Sequence, residues 1–293
     1  MNKFLKYSLK ILGLLLVMMF VLDVIYTKVI EKSIPRNKIR YAMSIKNKHY
    51  NVLFLGSSRV ENSIVSAMFK ENNISVLNMG LEGAVLGDNL LMLQLLNNNN
   101  VTFDKIFIQL DYLYNLKDTS FSQRSKSNLL PLIREEHIKE ILQNKDDNFI
   151  ANYYIPFYRY MKNDYSIGFR EFINSTMNKS PRISFENGYT PKFGSLSLEN
   201  SVLPKTIVNS SKVYQEINDL CLKMGVKPIY FISPFCSKLI DNDFVEKLDS
   251  IVENFYDYSR TITDDNKFYN CSHLNDAGAK EFTKIIINEF YHK

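Results

Sequence analysis

The most informative stretch of this sequence is Val-Leu-Phe-Leu-Gly-Ser-Ser-Arg at residues 52–59. Its four apolar residues form a short run that ends in turn residues, which is the pattern of a buried strand. Residues 60–71 carry apolar side chains at roughly helical spacing and predict a helix. A strand, a tight turn and a helix place Ser58 at the carboxyl edge of a sheet, beside the unpaired N–H groups of a helix N-terminus. Ligands bind at that edge in open α/β sheets, although serines in this position are also common helix caps.

Strand and helix patterns alternate along much of the remaining chain. Strands are predicted at 75–80, 105–111, 227–234 and, as a short strand or strand end, 268–270; helices are predicted at 87–97, 205–225, 243–255 and 276–291. This alternation predicts a three-layer α/β/α fold with a parallel sheet and crossover helices.

Residues 112–204 break the alternation and are rich in tyrosine, asparagine, serine and lysine. They predict an insertion over the sheet edge, within an α/β domain of residues 50–293, with helical pieces near 130–142 and 157–172. Its aromatic side chains either line a polymer-binding groove or pack a small helical subdomain.

The N-terminus carries three lysines before an apolar run at residues 11–22. Residues 4–26 together reach the length of a bilayer when the lysines extend toward the headgroups. No cleavage site of small residues follows, which favours an uncleaved signal anchor at residues 1–27 over a cleaved signal peptide. The expected arrangement is a single membrane-spanning helix, a charged stalk at residues 28–49 and a domain on the extracytoplasmic side.

Composition disfavours several classes of partner. The net charge of +5 comes from scattered basic residues without a basic stripe, which disfavours nucleic acid. The four histidines show no metal-binding spacing, so neither a metal nor another cofactor is expected. The three cysteines give no disulfide framework. Cys236 and Cys271 could pair in an oxidising compartment, but buried free thiols are the expected state.

A second turn, near the other end of the chain, changes the interpretation of Ser58. His273 lies in the sequence Phe-Tyr-Asn-Cys-Ser-His-Leu-Asn-Asp-Ala-Gly-Ala, residues 268–279, directly before a helix that Asn275 or Asp276 can cap. A serine after the first strand and a histidine before the last helix can meet above one sheet edge. Such a pair can act as a nucleophile and its base.

These blocks resemble the SGNH/GDSL hydrolase superfamily over about residues 50–112 and 205–293. The family's first block, Gly-Asp-Ser, is matched by Gly56-Ser57-Ser58, and its second-block glycine by Gly80. Its last block, Asp-x-x-His-Leu-Asn-x-x-Gly, is matched at residues 270–278 with one departure. The resemblance implies that Ser58 is the nucleophile, that the N–H groups of Ser58 and Gly80 bind the oxyanion, and that His273 is the base and then the acid.

The chain departs from the family at two sites. The family's aspartate is Asn270 here, whose amide oxygen can orient the histidine but cannot stabilise an imidazolium as a carboxylate does; Asp264 or Asp265 could take that role instead. The third block, Gly-x-Asn-Asp, is missing, and Asp111 stands where the oxyanion-hole asparagine is expected. Arg59, next to the nucleophile, is a further candidate for oxyanion or substrate binding.

Within the superfamily, the anchor and the Gly-Ser-Ser turn are most similar to membrane-anchored proteins that modify cell-envelope polymers. These include the teichoic-acid D-alanylation protein and the alginate acetylation proteins, which work beside a membrane-bound O-acyltransferase. The resemblance implies serine-dependent O-acyl transfer or ester hydrolysis on an acylated cell-surface glycan. The alternatives are a non-catalytic glycan-binding or scaffold protein on the same fold, and an unrelated function such as phosphate binding at the first turn.

Overall fold

The computed structural model describes residues 2–116, 121–182 and 184–291. Its strands are β1 (His49–Leu55), β2 (Val76–Asn78), β3 (Thr102–Gln109), β4 (Ser201–Val202), β5 (Ile229–Ile232), β6 (Leu239–Ile240), β7 (Phe255–Asp257), β8 (Phe268–Asn270) and β9 (His273–Leu274). Its α-helices are α1 (Asn2–Lys32), α2 (Lys38–Ser44), α3 (Ser58–Glu61), α4 (Ser66–Glu71), α5 (Leu86–Asn98), α6 (Gln123–Leu129), α7 (Glu136–Lys145), α8 (Phe149–Tyr154), α9 (Tyr158–Lys162), α10 (Asp164–Ile167), α11 (Phe169–Thr176), α12 (Lys212–Lys223), α13 (Phe244–Ile251) and α14 (Asp276–Tyr291). Short 3-10 helices lie at Tyr112–Asn115, Leu130–Leu132 and Asp265–Lys267.

A parallel sheet forms the centre of the fold and confirms the predicted α/β class. Its strand order across the described residues is β2-β1-β3-β5-β7, and each neighbouring pair is parallel. Strand β1 lies between β2 and β3, so the loops that follow these strands leave the same edge of the sheet. The turn with Ser58 is one of these loops.

Helices cover both faces of the sheet. On one face, Phe54 of β1 contacts Phe69 of α4 with ring centres 5.4 Å apart, and Phe231 of β5 lies 6.3 Å from Phe282 of α14. On the other face, α12 contacts β5 and α5. Each buried phenylalanine contributes about 1.5–3 kcal/mol through burial, so both layers hold the sheet in place.

The helix predicted over residues 60–71 is wrong as a single element, because it divides into α3 and α4. The Asn78 side-chain amide donates to the carbonyls of Val60 and Ile64, at 3.3 and 3.0 Å. The N–H of Val65 donates to the Thr283 hydroxyl at 3.0 Å. The Ile64 carbonyl and the Val65 N–H are groups that a continuous helix would have paired internally, and these side chains satisfy them instead.

The helix predicted over residues 243–255 is also too long. Helix α13 ends at Ile251, and residues 255–257 form β7 at the sheet edge. Asn254 lies between them in the left-handed region with φ of 55°, a conformation that asparagine tolerates better than most residues. This turn directs the chain into β7.

Two sets of residues cluster separately in space. Described residues between 41 and 122 and between 182 and 291 form the unit that contains the sheet, and residues 2–40 with 123–181 form a helical unit. Within the helical unit, Tyr26 of α1 stacks on Phe172 of α11 with ring centres 4.2 Å apart. The Asp23 carboxylate of α1 pairs with Arg159 of α9 at 2.8 Å.

Helix α1 is long and apolar enough to cross a membrane, and its large apolar side chains between Phe4 and Val21 are exposed, apart from the half-buried Met19. The helix continues past the predicted anchor boundary at residue 27 and ends at Lys32.

Residues 28–49, predicted as a charged stalk, contain helical structure. They contain the end of α1 and all of α2, and they bury the side chains of Ile30, Ile39 and Ala42. The Arg40 guanidinium donates to the Ser33 carbonyl at 3.3 Å. Residues 28–49 are therefore folded.

Candidate active site

Ser58 lies at the first turn after β1, where the sequence predicts it. Ser57 is the N-cap of α3, and its hydroxyl accepts from the Arg59 N–H. Within residues 52–60, only Ser58 is partly exposed and its neighbours are buried. A side chain at Gly56 would place its Cβ 2.3 Å from Val60 and 2.7 Å from Gln109. The turn therefore requires glycine at residue 56, and it presents one hydroxyl to solvent.

His273 and Asn270 meet Ser58 from the far end of the chain. Strands β8 and β9 form an antiparallel hairpin in which Asn270 is opposite His273. His273 Nε2 lies 2.8 Å from Ser58 Oγ, and His273 Nδ1 lies 3.0 Å from Asn270 Oδ1. The structure thus aligns a hydroxyl, an imidazole and an amide in the order of a serine-histidine-acid triad.

The contacts of Asn270 determine which nitrogen of His273 carries the proton. Asn270 Oδ1 also faces the backbone N–H of Ser272 at 3.1 Å. A backbone N–H can only donate, so this side-chain atom must be the amide oxygen. His273 Nδ1, which faces the same oxygen, must therefore carry hydrogen, and Nε2 of the neutral ring accepts the Ser58 O–H. The site has the tautomer that a general base requires.

The surroundings of His273 keep its ring neutral. Burial first, and then the positive charges of Arg59 and Lys192, lower the pKa of His273 from its ordinary value to about 4. Its Nδ1 partner is an uncharged amide, with the Ser272 hydroxyl also 3.1 Å away. His273 is therefore a base at neutral pH, but one with a weak affinity for protons.

The two aspartates proposed as substitutes for a triad carboxylate have other partners. Asp265 accepts from the N–H and the hydroxyl of Ser237, at 2.9 and 2.6 Å. Asp264 caps a 3-10 helix by accepting from the Asn266 N–H at 3.0 Å. The group hydrogen-bonded to His273 Nδ1 on the side away from Ser58 is Asn270.

The expected oxyanion donors lie around the same turn. Ser58 is the first residue of α3, so its N–H has no acceptor within the helix. The Gly80 N–H donates to Asn78 Oδ1 at 3.1 Å. A side chain at Gly80 would place its Cβ 2.5 Å from the backbone nitrogen of Glu61, so glycine allows this loop to approach α3 closely. The oxyanion roles of Ser58 and Gly80 stay predictions.

Arg59 and Asp111, both predicted to contact oxyanion or substrate, form a buried ion pair. Arg59 Nη1 donates to Asp111 Oδ2 at 2.9 Å, and both side chains are almost fully buried. The Gln109 amide also donates to Asp111 Oδ2, while its oxygen accepts from the N–H and hydroxyl of Ser57. Asp111 is thus compensated by a cation, and contact of either residue with substrate stays a prediction.

The Arg59 guanidinium joins three segments of the site. Its Nε donates to the Ser272 carbonyl at 3.0 Å, within the hairpin turn before His273. Its Nη2 donates to the carbonyls of Ser233 and Pro234 after β5, at 2.6 and 3.0 Å. The Phe235 ring centre lies 3.6 Å from the guanidinium carbon. Arg59 therefore fixes the Ser58 turn against the hairpin that carries His273.

A disulfide also links the segment after β5 to the hairpin that carries His273. Cys236, after β5, is bonded to Cys271 in the β8–β9 turn, and the Cys236 N–H donates to the Cys271 carbonyl at 3.0 Å. The expectation of free thiols at these two positions is wrong, because the β5 end and the hairpin turn bring them into contact. Cys221 is a free, buried cysteine, as expected.

The chain segment 189–196, part of the predicted insertion, passes close to the site. Its Thr190 N–H donates to the Glu61 carbonyl at 3.0 Å. The Lys192 ammonium lies 5.5 Å from the centre of the Tyr269 ring. This position explains how Lys192 contributes to the lowered pKa of His273. A polymer-binding role for the aromatic residues of the insertion stays a prediction.

No group of three or more histidine, cysteine, aspartate or glutamate residues is placed to hold a metal ion within the described part of the chain. The residues around Ser58 are instead hydroxyl, imidazole, amide and guanidinium groups. Their arrangement can move a proton from a serine hydroxyl and can hold charge at a helix N-terminus.

Three contributors to the site were missed in the sequence. Gln109 and Ser272 lie beside residues that were singled out, and Lys192 lies in the insertion. Side chains alternate between the two faces of β3, so the face that carries Gln109 is predictable from the sequence and is a signal for its contact with Ser57. Neither Ser272 nor Lys192 has a local pattern that would predict contact with the site.

Comparisons with known proteins add little to this geometry. No protein-family model matches the chain, and no curated protein matches it. A solved structure from Streptococcus pneumonia, described as a "putative platelet activating factor", is similar over 98% of this chain and 99% of its own. The two are 16% identical with a TM-score of 0.31, and nothing about the reaction follows from a likeness this low.

Proposed function

We propose that this protein is a serine-dependent O-acyl esterase or acyltransferase of the SGNH/GDSL type that forms an acyl-Ser58 intermediate. The hydrogen bond of 2.8 Å between Ser58 Oγ and His273 Nε2 carries the proposal. A serine hydroxyl becomes an effective nucleophile when an adjacent base can take its proton. The contact between Asn270 and Nδ1 leaves Nε2 able to do so.

The mechanism follows from these contacts. As Ser58 Oγ attacks the carbonyl carbon of an ester, His273 Nε2 takes its proton, and the N–H of Ser58 stabilises the oxyanion. The Gly80 N–H donates to Asn78 Oδ1 at 3.1 Å, so it becomes a second oxyanion donor only by leaving that oxygen. The intermediate then collapses, the ester C–O bond breaks, and imidazolium returns the proton to the leaving alcohol. Water in hydrolysis, or a second hydroxyl in transfer, next attacks the acyl-Ser58 ester with the same base.

Asn270 limits the speed of this cycle. A carboxylate would stabilise the imidazolium that forms in each half-reaction, whereas the Asn270 amide orients the ring without supplying charge. Arg59 and Lys192 oppose imidazolium formation further, as the lowered pKa of His273 indicates. A slow enzyme, or one that acts on an activated acyl group, fits this site best.

The proposed substrate is an acylated cell-surface polysaccharide, and the proposed partner is a membrane-bound O-acyltransferase. Helix α1 supports an anchored protein. The disulfide between Cys236 and Cys271 supports an extracytoplasmic domain, because disulfides persist in oxidising compartments and are rare in the cytosol. An extracytoplasmic domain has access to cell-surface glycans and is separated from cytosolic esters.

Hydrolysis of a small aryl ester tests the proposal. The Ser58→Ala variant should lose about 10³-fold or more of kcat, with unchanged circular dichroism. Ser250→Ala, which alters an exposed serine of α13, is the matched control and should keep its activity. Normal turnover in Ser58→Ala would rule out an acyl-Ser58 intermediate.

A second candidate, a non-catalytic glycan-binding or scaffold protein, is favoured by one observation. Asn270 occupies the position of the triad aspartate, so the site lacks the charge that supports imidazolium. This candidate predicts glycan binding that Ser58→Ala leaves intact, together with an absence of turnover in the unaltered protein.

A further inference from the structure

The helical unit, formed by residues 2–40 and 123–181, contains a surface that the proposed reaction does not use. Several large apolar side chains of this unit are exposed, among them Ile150, Tyr154 and Ile155. Ile150 and Tyr154 are four residues apart on α8 and share one helical face. We define Ile150, Tyr154 and Ile155 as the α8 face.

The position of the α8 face along α1 is fixed by Asp23. The Asp23 carboxylate accepts from Arg159 Nη2 and from the Phe157 N–H, each at 2.8 Å. Arg159 Nη1 reaches the carbonyl of Asn152 in α8, at 3.5 Å. The segment with the α8 face is therefore tied to α1 at the level of Asp23.

The contact at Asp23 is rigid. Arg159 is completely buried and also donates to the Thr27 hydroxyl at 2.9 Å. Phe157 holds φ of 63°, a conformation that costs a non-glycine residue free energy and needs support from its surroundings. Its ring lies 5.0 Å from that of Tyr26. These contacts hold the α8 face at a fixed position along α1.

Asp23 marks the place where α1 would leave a bilayer. Residues 4–22 of α1 lack acidic side chains, and their two lysines, Lys6 and Lys10, lie toward the far end of the segment, where long side chains can extend to the headgroups. These 19 helical residues span about 28 Å. A hydrocarbon core is about 30 Å thick. Asp23, and with it the α8 face, then lies at the boundary between hydrocarbon and headgroups, where tyrosine side chains are enriched.

The charge of the helical unit fits the same location. Residues 1–40 and 123–181 carry 17 basic and 9 acidic residues, whereas the rest of the chain carries 19 basic and 22 acidic residues. Without the three lysines that precede the apolar run, 14 basic residues remain against the same 9. Anionic headgroups attract such an excess of positive charge.

We propose that the α8 face lies in the headgroup region of the bilayer that α1 crosses, so that the helical unit is in contact with the membrane surface. The occupant of this face is lipid. This inference is independent of the proposed reaction, since it uses no residue near Ser58.

The chain contains no tryptophan, so single tryptophans can report position in full-length protein reconstituted into vesicles. Tyr154→Trp reports on the α8 face, and Val17→Trp reports on the apolar part of α1. Met177→Trp is the matched control, because Met177 is 70% exposed in the same unit. Its neighbour Asn178 contacts the Ile34 N–H. Ile34 lies beyond the end of α1 at Lys32, which is itself about 14 Å past Asp23 at helical rise.

The vesicles contain phosphatidylcholine and phosphatidylglycerol, with lipids brominated near the headgroup end of the acyl chain. We expect the indole fluorescence of the Tyr154→Trp variant to be quenched and blue-shifted. The Val17→Trp variant should also be quenched, and the Met177→Trp variant should emit as an exposed indole does. Emission from Tyr154→Trp that matches that of Met177→Trp would overturn the proposal and leave the face to a protein partner. Unquenched emission from Val17→Trp would overturn it too, since α1 would then lie outside the bilayer.

Discussion

Asn270 Oδ1 accepts a hydrogen bond from His273 Nδ1 at 3.0 Å. The same oxygen faces the Ser272 N–H, which fixes the amide orientation. In the chymotrypsin triad, a substitution of aspartate by asparagine produces the wrong tautomer and costs about 10⁴-fold in kcat. Here the asparagine holds the correct tautomer. The cost is limited to the missing negative charge.

Asn270→Asp should therefore increase activity. A carboxylate beside Nδ1 would stabilise imidazolium and raise the pKa of His273, and we expect kcat to rise by about tenfold or more, a part of the triad effect. The pH–rate profile and the ring titration by NMR measure both changes. Asn270→Ala is the control and should lower kcat. An unchanged pKa of His273 in Asn270→Asp would contradict the assigned contact.

The pH dependence of kcat/KM should reflect the lowered pKa of His273. Because the ring has a pKa of about 4, it remains an unprotonated base at about pH 5–6, where an ordinary histidine is mostly protonated. Activity should thus persist down to about pH 4. An acid limb centred near the ordinary histidine value, about pH 6.5, would mean that the ring is not in the environment described.

The lowered pKa of His273 also makes the free energy of unfolding depend on pH. In the unfolded chain the ring regains its ordinary pKa of about 6.5, so that state binds the proton first as pH falls. The stability that His273 contributes is complete above about pH 6.5 and is lost as pH falls toward 4. Urea unfolding between about pH 7 and pH 4 measures this loss. His273→Gln should show a smaller decrease over that range.

Arg59→Met should destabilise the protein, because it leaves the buried Asp111 carboxylate without its cation. Removal of one partner of a buried ion pair costs about 3–5 kcal/mol. Chemical denaturation gives the difference in the free energy of unfolding. The double variant Arg59→Met with Asp111→Leu removes both charges and should recover much of it. A double variant as unstable as the single one would indicate that the lost hydrogen bonds to the carbonyls of Ser272, Ser233 and Pro234, or lost packing, dominate over charge.

Loss of the disulfide should affect both stability and activity. The bond between Cys236 and Cys271 closes a loop with a sequence separation of 35, and its loss should cost about 2–4 kcal/mol. Because Cys271 is next to Ser272 and close to His273, kcat should also fall in Cys236→Ala with Cys271→Ala. Thermal unfolding and ester hydrolysis measure the two effects. Cys221→Ala, at a free cysteine, should leave kcat unchanged.

The sequence predicted the elements that have a local signal. Strand β1, the turn at Ser58 and the final helix at residues 276–291 follow from apolar runs, turn residues and helical spacing. The sequence predicted the approach of His273 to Ser58, but not the element that brings it about: His273 lies in the antiparallel β8–β9 hairpin, outside the parallel sheet.

The missed features depend on tertiary contacts. The break between α3 and α4 is stabilised by Asn78 and Thr283, which are distant in sequence. The disulfide depends on the meeting of the β5 end with the hairpin turn. The pairing of Asp23 with Arg159 joins the N-terminal helix to a residue 136 positions away. No local pattern predicts such contacts.

The proposed function requires that Ser58 be an activated nucleophile. Reaction with a fluorophosphonate probe, followed by intact-mass spectrometry and peptide mapping, tests this requirement. We predict one adduct, located on Ser58, that is absent in Ser58→Ala and strongly slowed in His273→Ala. Folded protein that gains no adduct, or that gains it on another serine, would contradict the account.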